Sequence, residues 1–381
     1  MVGFWYSRSL LLFASVILLS QSSAPRCGQV QKMKQGLISG GTTSAPGMWP
    51  WHVALFHQEP SFTESYKCGG TIINTVTILT AFHCVAVDER PIPADRIIIR
   101  AGLFDLLMDS STRQENKAFN IIFPPKASAK TLNNDIAILK MKFQFSYGDY
   151  VQPICIRSAL QDIEKLEGVF GTIVGWGYTN QTTRSAQLLE AYIPVVSAKD
   201  CLKSDRTFYQ QVLKTKVYCA GSRNGTSSCK GDSGGGMFFQ IGGYWFLRGL
   251  TSFFKRDETS LVCTSKEYIV YTDVARYLDW IRDQDVEFYD PLENAPIAND
   301  VPANYSNMLL PLSIDPEKEE FLLQHTSNVS TPIIEPVPSD DNPTLLRLTV
   351  DPKTKKFLQQ HKGKLLLRVK LNGRKAESLF Q

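Results

Sequence analysis

Eight cysteines follow an apolar segment at the amino terminus of this 381-residue chain. Arg8 precedes an apolar run from Leu10 to Leu19, and small residues ending at Ala24 close the segment. This order is typical of a signal peptide, so we expect residues 1–24 to direct secretion and then to be removed. An even number of cysteines behind such a signal indicates disulfide bonds, and the sequence lacks the CxxC pairs that are typical of metal sites.

Hydropathy and charge exclude two other classes of protein. The run from Leu10 to Leu19 is shorter than the roughly 20 residues that cross a bilayer, and no other apolar stretch is long enough. The formal net charge is only +4, which does not indicate a nucleic-acid partner. We therefore expect an extracellular protein that has no membrane span and binds no nucleic acid.

Short runs rich in β-branched and aromatic residues recur between turn residues. Examples are Ile97–Arg100, Val169–Val174 and Tyr244–Leu247. This pattern predicts an all-β sandwich or barrel. A helical spacing follows from Val274 to Ile281, and beyond it the composition turns to charged and loop residues. We therefore place the end of the globular domain near Asp285, with a C-terminal extension over residues 286–381.

Three short motifs carry chemically reactive side chains. Ser233 lies in the run Gly231-Asp232-Ser233-Gly234-Gly235, where glycine permits a tight turn that exposes a hydroxyl and aims N–H groups at one point. His83 stands beside Cys84, and Asp135 begins an apolar run. Each motif alone has an ordinary explanation, as a turn or as a hydrogen-bonded polar group of the core. In the order His, Asp, Ser, however, the three match an arrangement that recurs in acyl transfer.

Further motifs belong to the same pattern. They are Cys68-Gly69-Gly70, Val151-Gln152-Pro153, Gly175-Trp176-Gly177 and Tyr271-Thr272-Asp273-Val274. Together with the three reactive residues, they make the chain resemble the chymotrypsin/trypsin family of serine endopeptidases over residues 38–285. The resemblance implies an all-β fold of two six-stranded antiparallel β-barrels with a C-terminal helix.

The resemblance also implies a role for each reactive group. Ser233 would be the nucleophile, His83 the general base, and Asp135 the carboxylate that orients the imidazole. The backbone N–H groups of Gly231 and Ser233 would form the oxyanion hole. Ser252 would hydrogen-bond the buried aspartate. Neither a cofactor nor a metal is expected.

The same resemblance implies a disulfide partner for each of the eight cysteines. Spacing alone does not choose among the possible pairings. The pairs that the resemblance implies are Cys68 with Cys84, Cys201 with Cys219, Cys229 with Cys263, and Cys27 with Cys155. The last pair would tether a short propeptide, residues 25–37, to the protease domain.

Activation is expected to follow a cut at the end of that propeptide. Ile38 resembles the family's new N-terminus, whose ammonium group inserts beside Asp232 and shapes the oxyanion hole. A buried carboxylate without a partner costs several kcal/mol, so the uncut chain should lack an ordered site. Trypsin-like activators need a basic residue before the cut, but Leu37 stands there and the nearest basic residue is Lys34. We therefore expect either a different upstream protease or autoactivation.

Substrate specificity is expected to differ from that of trypsins. Ser227 stands where trypsins place an aspartate, which argues against cleavage after Lys or Arg. Ser228 and Ser252 are expected to line the pocket, and Phe254 and Ile269 to form its walls. Such walls would make the pocket shallow, unless a loop rearrangement swings Phe254 away.

The remaining signals concern the surface and the extension. Four Asn-x-Ser/Thr sequons fit a secreted chain if they are exposed, at Asn180, Asn224, Asn304 and Asn328.

Beyond Asp285, Met308–His325 recurs as Thr344–His361, with glutamates in the first unit where lysines stand in the second. The two units could pair with each other or stay flexible, and we favour a weakly ordered or disordered extension.

The sequence thus predicts an active, secreted endopeptidase of narrow specificity. Leu37 and the run Tyr268–Val274 also resemble arthropod plasma cascade proteases of the initiating type, which suggests a cascade in innate immunity or development. The expected partners are a protein substrate such as another zymogen, an activating protease, and a serpin-type inhibitor. The alternative from another class is a non-catalytic binding protein with the protease fold, whose pocket is occluded although its triad is intact.

Overall fold

Two β-barrels form the body of the protein in a computed structural model. The structure describes residues 27–30, 42–157, 162–178, 183–213, 215–223, 231–254 and 267–293, and the backbone of six short strands between residues 312 and 379. The predicted all-β fold of two six-stranded antiparallel barrels with a C-terminal helix is confirmed.

The first barrel comes from the first part of the described chain. The strands up to its end are β1 (Thr42–Thr43), β2 (His52–Gln58), β3 (Glu64–Asn74), β4 (Thr77–Thr80), β5 (Ala86–Val87), β6 (Arg90–Pro91), β7 (Ile97–Ala101), β8 (Gln114–Ile122) and β9 (Ala137–Met141). The barrel order is β2-β3-β4-β9-β8-β7, and it closes because β7 also pairs with β2. Three consecutive, buried isoleucines begin β7, as expected of a strand packed on both faces.

The second barrel follows the same plan. Its strands are β10 (Phe170–Gly175), β11 (Leu189–Val196), β12 (Val217–Ala220), β13 (Gly236–Ile241), β14 (Tyr244–Phe254) and β15 (Ile269–Asp273). They pair in the order β11-β10-β13-β14-β15-β12, and a pairing between β11 and β12 closes the ring. β1 adds to the outer edge of β11. The strands predicted near Ile97, Val169 and Tyr244 are therefore confirmed.

Helices are short and lie outside the barrels. They are α1 (Ala198–Ser204), α2 (Arg206–Val212) and α3 (Leu278–Arg282), with 3₁₀-helices at Phe82–Cys84, Ala94–Arg96, Ile163–Leu166 and Val274–Tyr277. The predicted helix from Val274 to Ile281 is thus a 3₁₀-helix that continues into α3. None of the helices in the described residues has the length and apolar character needed to cross a membrane.

A segment of residues 286–293, here called the C-terminal strap, stays packed on the barrels after α3. Ile156 N donates a hydrogen bond to Tyr289 O at 2.9 Å. The Arg157 guanidinium contacts the Asp290 carboxylate at 3.2 Å, with side chains that are 0% and 6% exposed. Arg157 also donates to Leu292 O. The packed chain therefore continues beyond Asp285.

The extension contains three two-stranded antiparallel sheets. They pair β16 (Leu312–Ile314) with β17 (Phe321–Leu323), β18 (Ile333–Pro336) with β19 (Leu346–Thr349), and β20 (Leu366–Leu371) with β21 (Arg374–Leu379). Both strands of the first sheet lie in the first repeat, whereas β19 of the second repeat pairs with a strand between the repeats. The described strands therefore do not pair one repeat with the other.

Loss of one partner of the Arg157–Asp290 pair is expected to destabilise the fold. Asp290→Ala deprives a fully buried guanidinium of this carboxylate, which should lower the free energy of unfolding by about 3 kcal/mol. The control Asp279→Ala breaks a pair with Arg282 whose side chains are 98% and 47% exposed, and should lower it by less than about 1 kcal/mol. Urea denaturation measures both, and equal losses would contradict the structural role of the strap contact.

Candidate active site

His83 is presented by a 3₁₀-helix between two buried neighbours. Phe82 and Cys84 anchor this turn in the core, while the His83 side chain remains 22% exposed. Cys84 forms a disulfide with Cys68 of β3, and its Sγ lies 3.8 Å from His83 Nε2. The backbone that carries the imidazole is therefore fixed, and the ring is partly exposed.

Asp135 lies just before β9, after a turn that Asn134 makes possible. Asn134 has a φ of +47°, a left-handed conformation that asparagine tolerates better than most residues. The Asn134 side chain accepts a hydrogen bond from Tyr277 OH at 3.0 Å, and Thr272 Oγ1 donates to Asp135 O at 2.8 Å. These bonds fix the backbone from which the carboxylate projects.

The Asp135 carboxylate is fully buried and contacts two other predicted site residues. His83 Nδ1 lies 2.8 Å from Asp135 Oδ2, and His83 N donates to Asp135 Oδ1 at 2.9 Å. Ser252 Oγ donates to Asp135 Oδ2 at 2.5 Å. An ionised carboxylate can only accept, so Nδ1 must carry the proton, and Nε2 of the neutral imidazole then has the lone pair that can accept one.

Opposing effects act on the acidity of this group. Burial alone would raise the pKa of Asp135, because it disfavours the charged form. The interaction with His83 and the hydrogen bonds from His83 and Ser252 favour the charge, and together they lower the pKa below its usual value. The carboxylate is therefore ionised at neutral pH.

Ser233 precedes β13 and is bonded to the first barrel. Its carbonyl oxygen accepts a hydrogen bond from Gly69 N at 2.8 Å. Gly69 follows Cys68, whose disulfide leads to Cys84 and so to His83. A short path of covalent and hydrogen bonds therefore joins the predicted nucleophile to the predicted base.

A second path joins Ser233 to the carboxylate. The next residue, Gly234, donates from its N–H to Thr251 O at 2.8 Å. Thr251 precedes Ser252 on β14, and Ser252 donates to Asp135. The structure thus gathers all three predicted catalytic residues where the two barrels meet.

The backbone at Gly231, which is predicted to contribute to an oxyanion hole, is restricted by Gly177 on one side and by Tyr66 on the other. Its φ of +105° suits only glycine, and an added Cβ would lie 3.2 Å from the Cα of Gly177. Tyr66 OH donates to Gly231 O at 2.6 Å, while the Tyr66 ring packs edge-on against Trp176 with centroids 5.9 Å apart. Burial raises the pKa of Tyr66, so its hydroxyl stays protonated and remains a donor.

Asp232, predicted to receive the new N-terminus, lies against the Gly175-Trp176-Gly177 motif. Asp232 Oδ1 accepts a hydrogen bond from Gly177 N at 2.8 Å. A Cβ at Gly175 or Gly177 would lie 2.0 or 2.3 Å from a carboxylate oxygen, so the close approach requires glycine at both positions. Ile38 lies outside the described residues.

The predicted pocket residues are described only in part. Ser252 is buried and donates to Asp135. Ile269 is fully buried, packs with Met237 and Tyr271, and pairs with Phe254 across β14 and β15. Only the backbone of Phe254 is described, and Ser227 and Ser228 lie outside the described residues. The shape of the pocket stays a prediction.

Three of the four predicted disulfides are present, joining Cys27 to Cys155, Cys68 to Cys84, and Cys201 to Cys219. Cys68, His83 and Cys84 have possible ligand atoms within 4.8 Å of one another, but the disulfide leaves no thiolate there to bind a metal. Besides Ile38, Ser227 and Ser228, the predicted residues outside the described ranges are Cys229, Cys263, Asn180, Asn224, Asn304 and Asn328.

Two residues that support the site were not predicted. Tyr66 and its partner Gly231 are 165 residues apart in the chain, and Thr272 and Asp135 are 137 apart. A single hydroxyl at such separations leaves no periodic signal in the sequence. The only hint was that Thr272 lies within one of the recognised motifs.

Comparisons with known proteins agree with this geometry. The chain matches the Trypsin family model over residues 38–281. It is also 29% identical over 299 residues to the CLIP domain-containing serine protease B4 of Anopheles gambiae, an alignment that covers 74% of this chain and 79% of that protein. The range matched by the family model contains His83, Asp135 and Ser233 and ends inside α3.

Loss of the Ser252 hydroxyl is expected to raise the pKa of Asp135. Ser252→Ala removes one donor to the charged form, so the Asp135 pKa should rise towards its usual value. Because the folded pKa is depressed, Asp135 stabilises the fold above about pH 4, and this stability disappears as pH falls through the folded pKa. As pH is lowered from about 5 to about 3, the free energy of unfolding of Ser252→Ala should therefore fall less than that of the original protein.

Carboxyl ¹³C NMR titration and urea denaturation at several pH values measure these two effects. Ser204→Ala is a matched control, because Ser204 Oγ donates to Cys201 O rather than to Asp135. An unchanged Asp135 pKa in Ser252→Ala would show that the hydrogen bond does not tune the carboxylate.

Proposed function

This chain belongs to the trypsin family of serine endopeptidases, and we propose that His83, Asp135 and Ser233 form its catalytic triad. The observation that carries the proposal is the buried, ionised Asp135 carboxylate, which accepts hydrogen bonds from His83 and Ser252. A carboxylate in this position fixes the imidazole tautomer that leaves Nε2 as a base. Ser233 lies at the end of both bonded paths that lead to these two residues.

The proposed reaction is acyl transfer in two halves. Ser233 Oγ attacks the carbonyl carbon of the substrate while His83 Nε2 takes the hydroxyl proton. The resulting imidazolium is stabilised by Asp135, which remains ionised. His83 then gives the proton to the departing amine, and the peptide bond breaks to leave an acyl ester on Ser233. Water repeats the sequence and releases the acid.

The tetrahedral intermediate needs donors for its negative oxygen. We assign this role to the backbone N–H groups of Gly231 and Ser233, and each such donor typically contributes about 3 kcal/mol. The left-handed Gly231 backbone and the Tyr66 bond to its carbonyl support the assignment, since both restrict the orientation of the peptide groups next to Ser233. Donors that are already aligned need no reorganisation during the reaction.

We propose that the enzyme is secreted as a zymogen and acts in an extracellular cascade. Residues 1–24 would be the signal peptide, 25–37 the propeptide, 38–285 the peptidase domain and 286–381 a C-terminal extension whose first residues, 286–293, pack on the barrels. The three disulfides support secretion, because such bonds persist mainly in oxidising compartments. The Cys27–Cys155 bond would keep the propeptide attached after the cut. Glycosylation at the four sequons and control by a serpin-type inhibitor belong to the same proposal.

Specificity is proposed to favour small or medium apolar residues before the scissile bond. The support is Ser227 in the place of an aspartate, together with the buried position of Ile269. A pocket without a carboxylate cannot pair a Lys or Arg side chain, and burying that charge unpaired would be costly. Turnover of peptides with Ala, Val, Leu, Lys or Arg at this position measures the preference.

Reaction of Ser233 with a fluorophosphonate probe is the primary test. The activated protein should form a covalent adduct at Ser233, and Ser233→Ala should lose the adduct and about 10⁶-fold in kcat. Ser204→Ala, at a serine bonded to Cys201 O, should keep both properties. Mass spectrometry locates the adduct. An adduct on another serine, or full peptide turnover by Ser233→Ala, would refute the triad and favour a non-catalytic role for this site.

Activation should follow a cut between Leu37 and Ile38. The new ammonium group would pair with Asp232, which adjoins both Gly231 and Ser233 in the sequence. Asp232→Asn should therefore lower kcat/KM of the cut enzyme by about 100-fold or more, as loss of an oxyanion donor does. Edman sequencing of the active form should begin at Ile38, and an active form that begins at Gln35 would contradict the assignment.

A further inference from the structure

A single arginine next to the proposed active site is stacked between two tyrosines. The Arg184 guanidinium carbon lies 4.9 Å from the centroid of the Tyr66 ring and 5.2 Å from that of Tyr178. Arg184 also donates to Tyr66 O at 3.4 Å. Arginine stacks well on aromatic faces, and two such faces hold its plane in one orientation.

Arg184 has no carboxylate among its described contacts. Its Nε is buried and has no hydrogen-bond partner in the described part of the chain. Three other arginines with buried or largely buried side chains each contact an acid: Arg157 contacts Asp290, Arg248 contacts Asp273, and Arg100 contacts Glu64 and Glu115. A half-buried cation that is held in one orientation and has no carboxylate partner among the described residues is suited to bind an anion from outside.

The position of Arg184 relative to the reaction follows from its neighbours. Tyr66 OH, on the ring that Arg184 covers, donates to Gly231 O of the proposed oxyanion loop. On β3, Tyr66 lies two residues from Cys68 across a bulge, so the Tyr66 carbonyl oxygen to which Arg184 donates lies within about 7 Å of the Cys68 backbone. Cys68 is bonded to Cys84, whose Sγ lies 3.8 Å from His83 Nε2. Arg184 therefore lies on the His83 side of the oxyanion loop.

The direction of proton transfer in the proposed mechanism indicates which part of a substrate lies near Arg184. In the proposed mechanism His83 Nε2 gives its proton to the departing amine, so the chain that follows the scissile bond must leave along the His83 side. Side chains of the first few residues after the bond would thus approach Arg184.

We propose that Arg184 determines specificity by binding an acidic side chain, Asp or Glu, within the first three residues after the scissile bond. The proposal rests on the proposed function above and names a feature of its protein substrate. The guanidinium can offer two parallel N–H donors to a carboxylate, and its fixed plane reduces the entropy lost on binding. Charge complementarity of this kind contributes mainly to selection among substrates.

The test uses the activated, full-length enzyme and matched internally quenched peptides. All peptides share the residues before the scissile bond and carry Glu, Gln or Lys at the first, second or third position after it. At one of these positions the original enzyme should cut the Glu peptide about tenfold faster in kcat/KM than the Gln peptide. This ratio should shrink when salt is raised, because part of the site is exposed.

Variants at Arg184 separate charge from packing. Arg184→Gln should bring the Glu-to-Gln ratio close to one, and Arg184→Lys should keep part of the preference. Arg184→Glu should reverse it, so that the Lys peptide is cut faster than the Glu peptide. Misfolding does not produce a reversal, so this variant keeps the proposal falsifiable. The control Arg282→Gln removes a guanidinium stacked 5.0 Å from Phe288 and should keep the original ratio.

The outcomes separate failure of the Arg184 inference from failure of the proposed function. If Ser233 reacts with the fluorophosphonate and the peptides are cut, but the Glu-to-Gln ratio is below twofold at all three positions, Arg184 is not a specificity residue. A preference for Glu that persists in Arg184→Glu overturns the inference in the same way. If neither the probe nor any peptide reacts, the proposed function itself fails, and the inference fails with it.

Discussion

The arrangement of the site depends on the buried negative charge of Asp135 and on the hydrogen bonds that stabilise it. An ionised carboxylate withdrawn from water is costly unless donors replace the lost solvent. Here the donors come from both barrels, because His83 belongs to the first and Ser252 to the second, while Thr272 of β15 holds the Asp135 carbonyl. The charge is therefore satisfied only when the barrels are docked, which makes assembly of the site and assembly of the fold one event.

The same dependence explains why so much of the support is made of backbone bonds and glycine. Ser233 is tied to Gly69 of one barrel, and its neighbour Gly234 is tied to Thr251 of the other. Gly175 and Gly177 leave room for the Asp232 carboxylate at distances that no side chain would allow. A site built in this way has little freedom to relax, so its donors are aligned before a substrate arrives.

The sequence predicted the parts of this arrangement that are local and missed those that are not. Strands such as Ile97–Ala101 follow from runs of β-branched residues, and His83, Asp135 and Ser233 stand in short motifs whose order carried the family resemblance. Tyr66, Arg157 and Arg184 gave no such signal, because each makes contacts with residues far along the chain. Arg157 and Asp290 are 133 residues apart, and nothing in either neighbourhood marks them as partners.

The two ends of the peptidase domain are anchored in one cluster that is separate from the site. Cys27 and Cys155 pack with Phe246, and Tyr289 and Leu292 of the C-terminal strap cover the same cluster. Phe246 and Ser252 lie on the same strand, β14, and six steps of about 3.3 Å place them roughly 20 Å apart. The propeptide would thus stay bound through a covalent bond and the extension through buried contacts, both far enough from Ser252 to leave the triad geometry to the barrels alone.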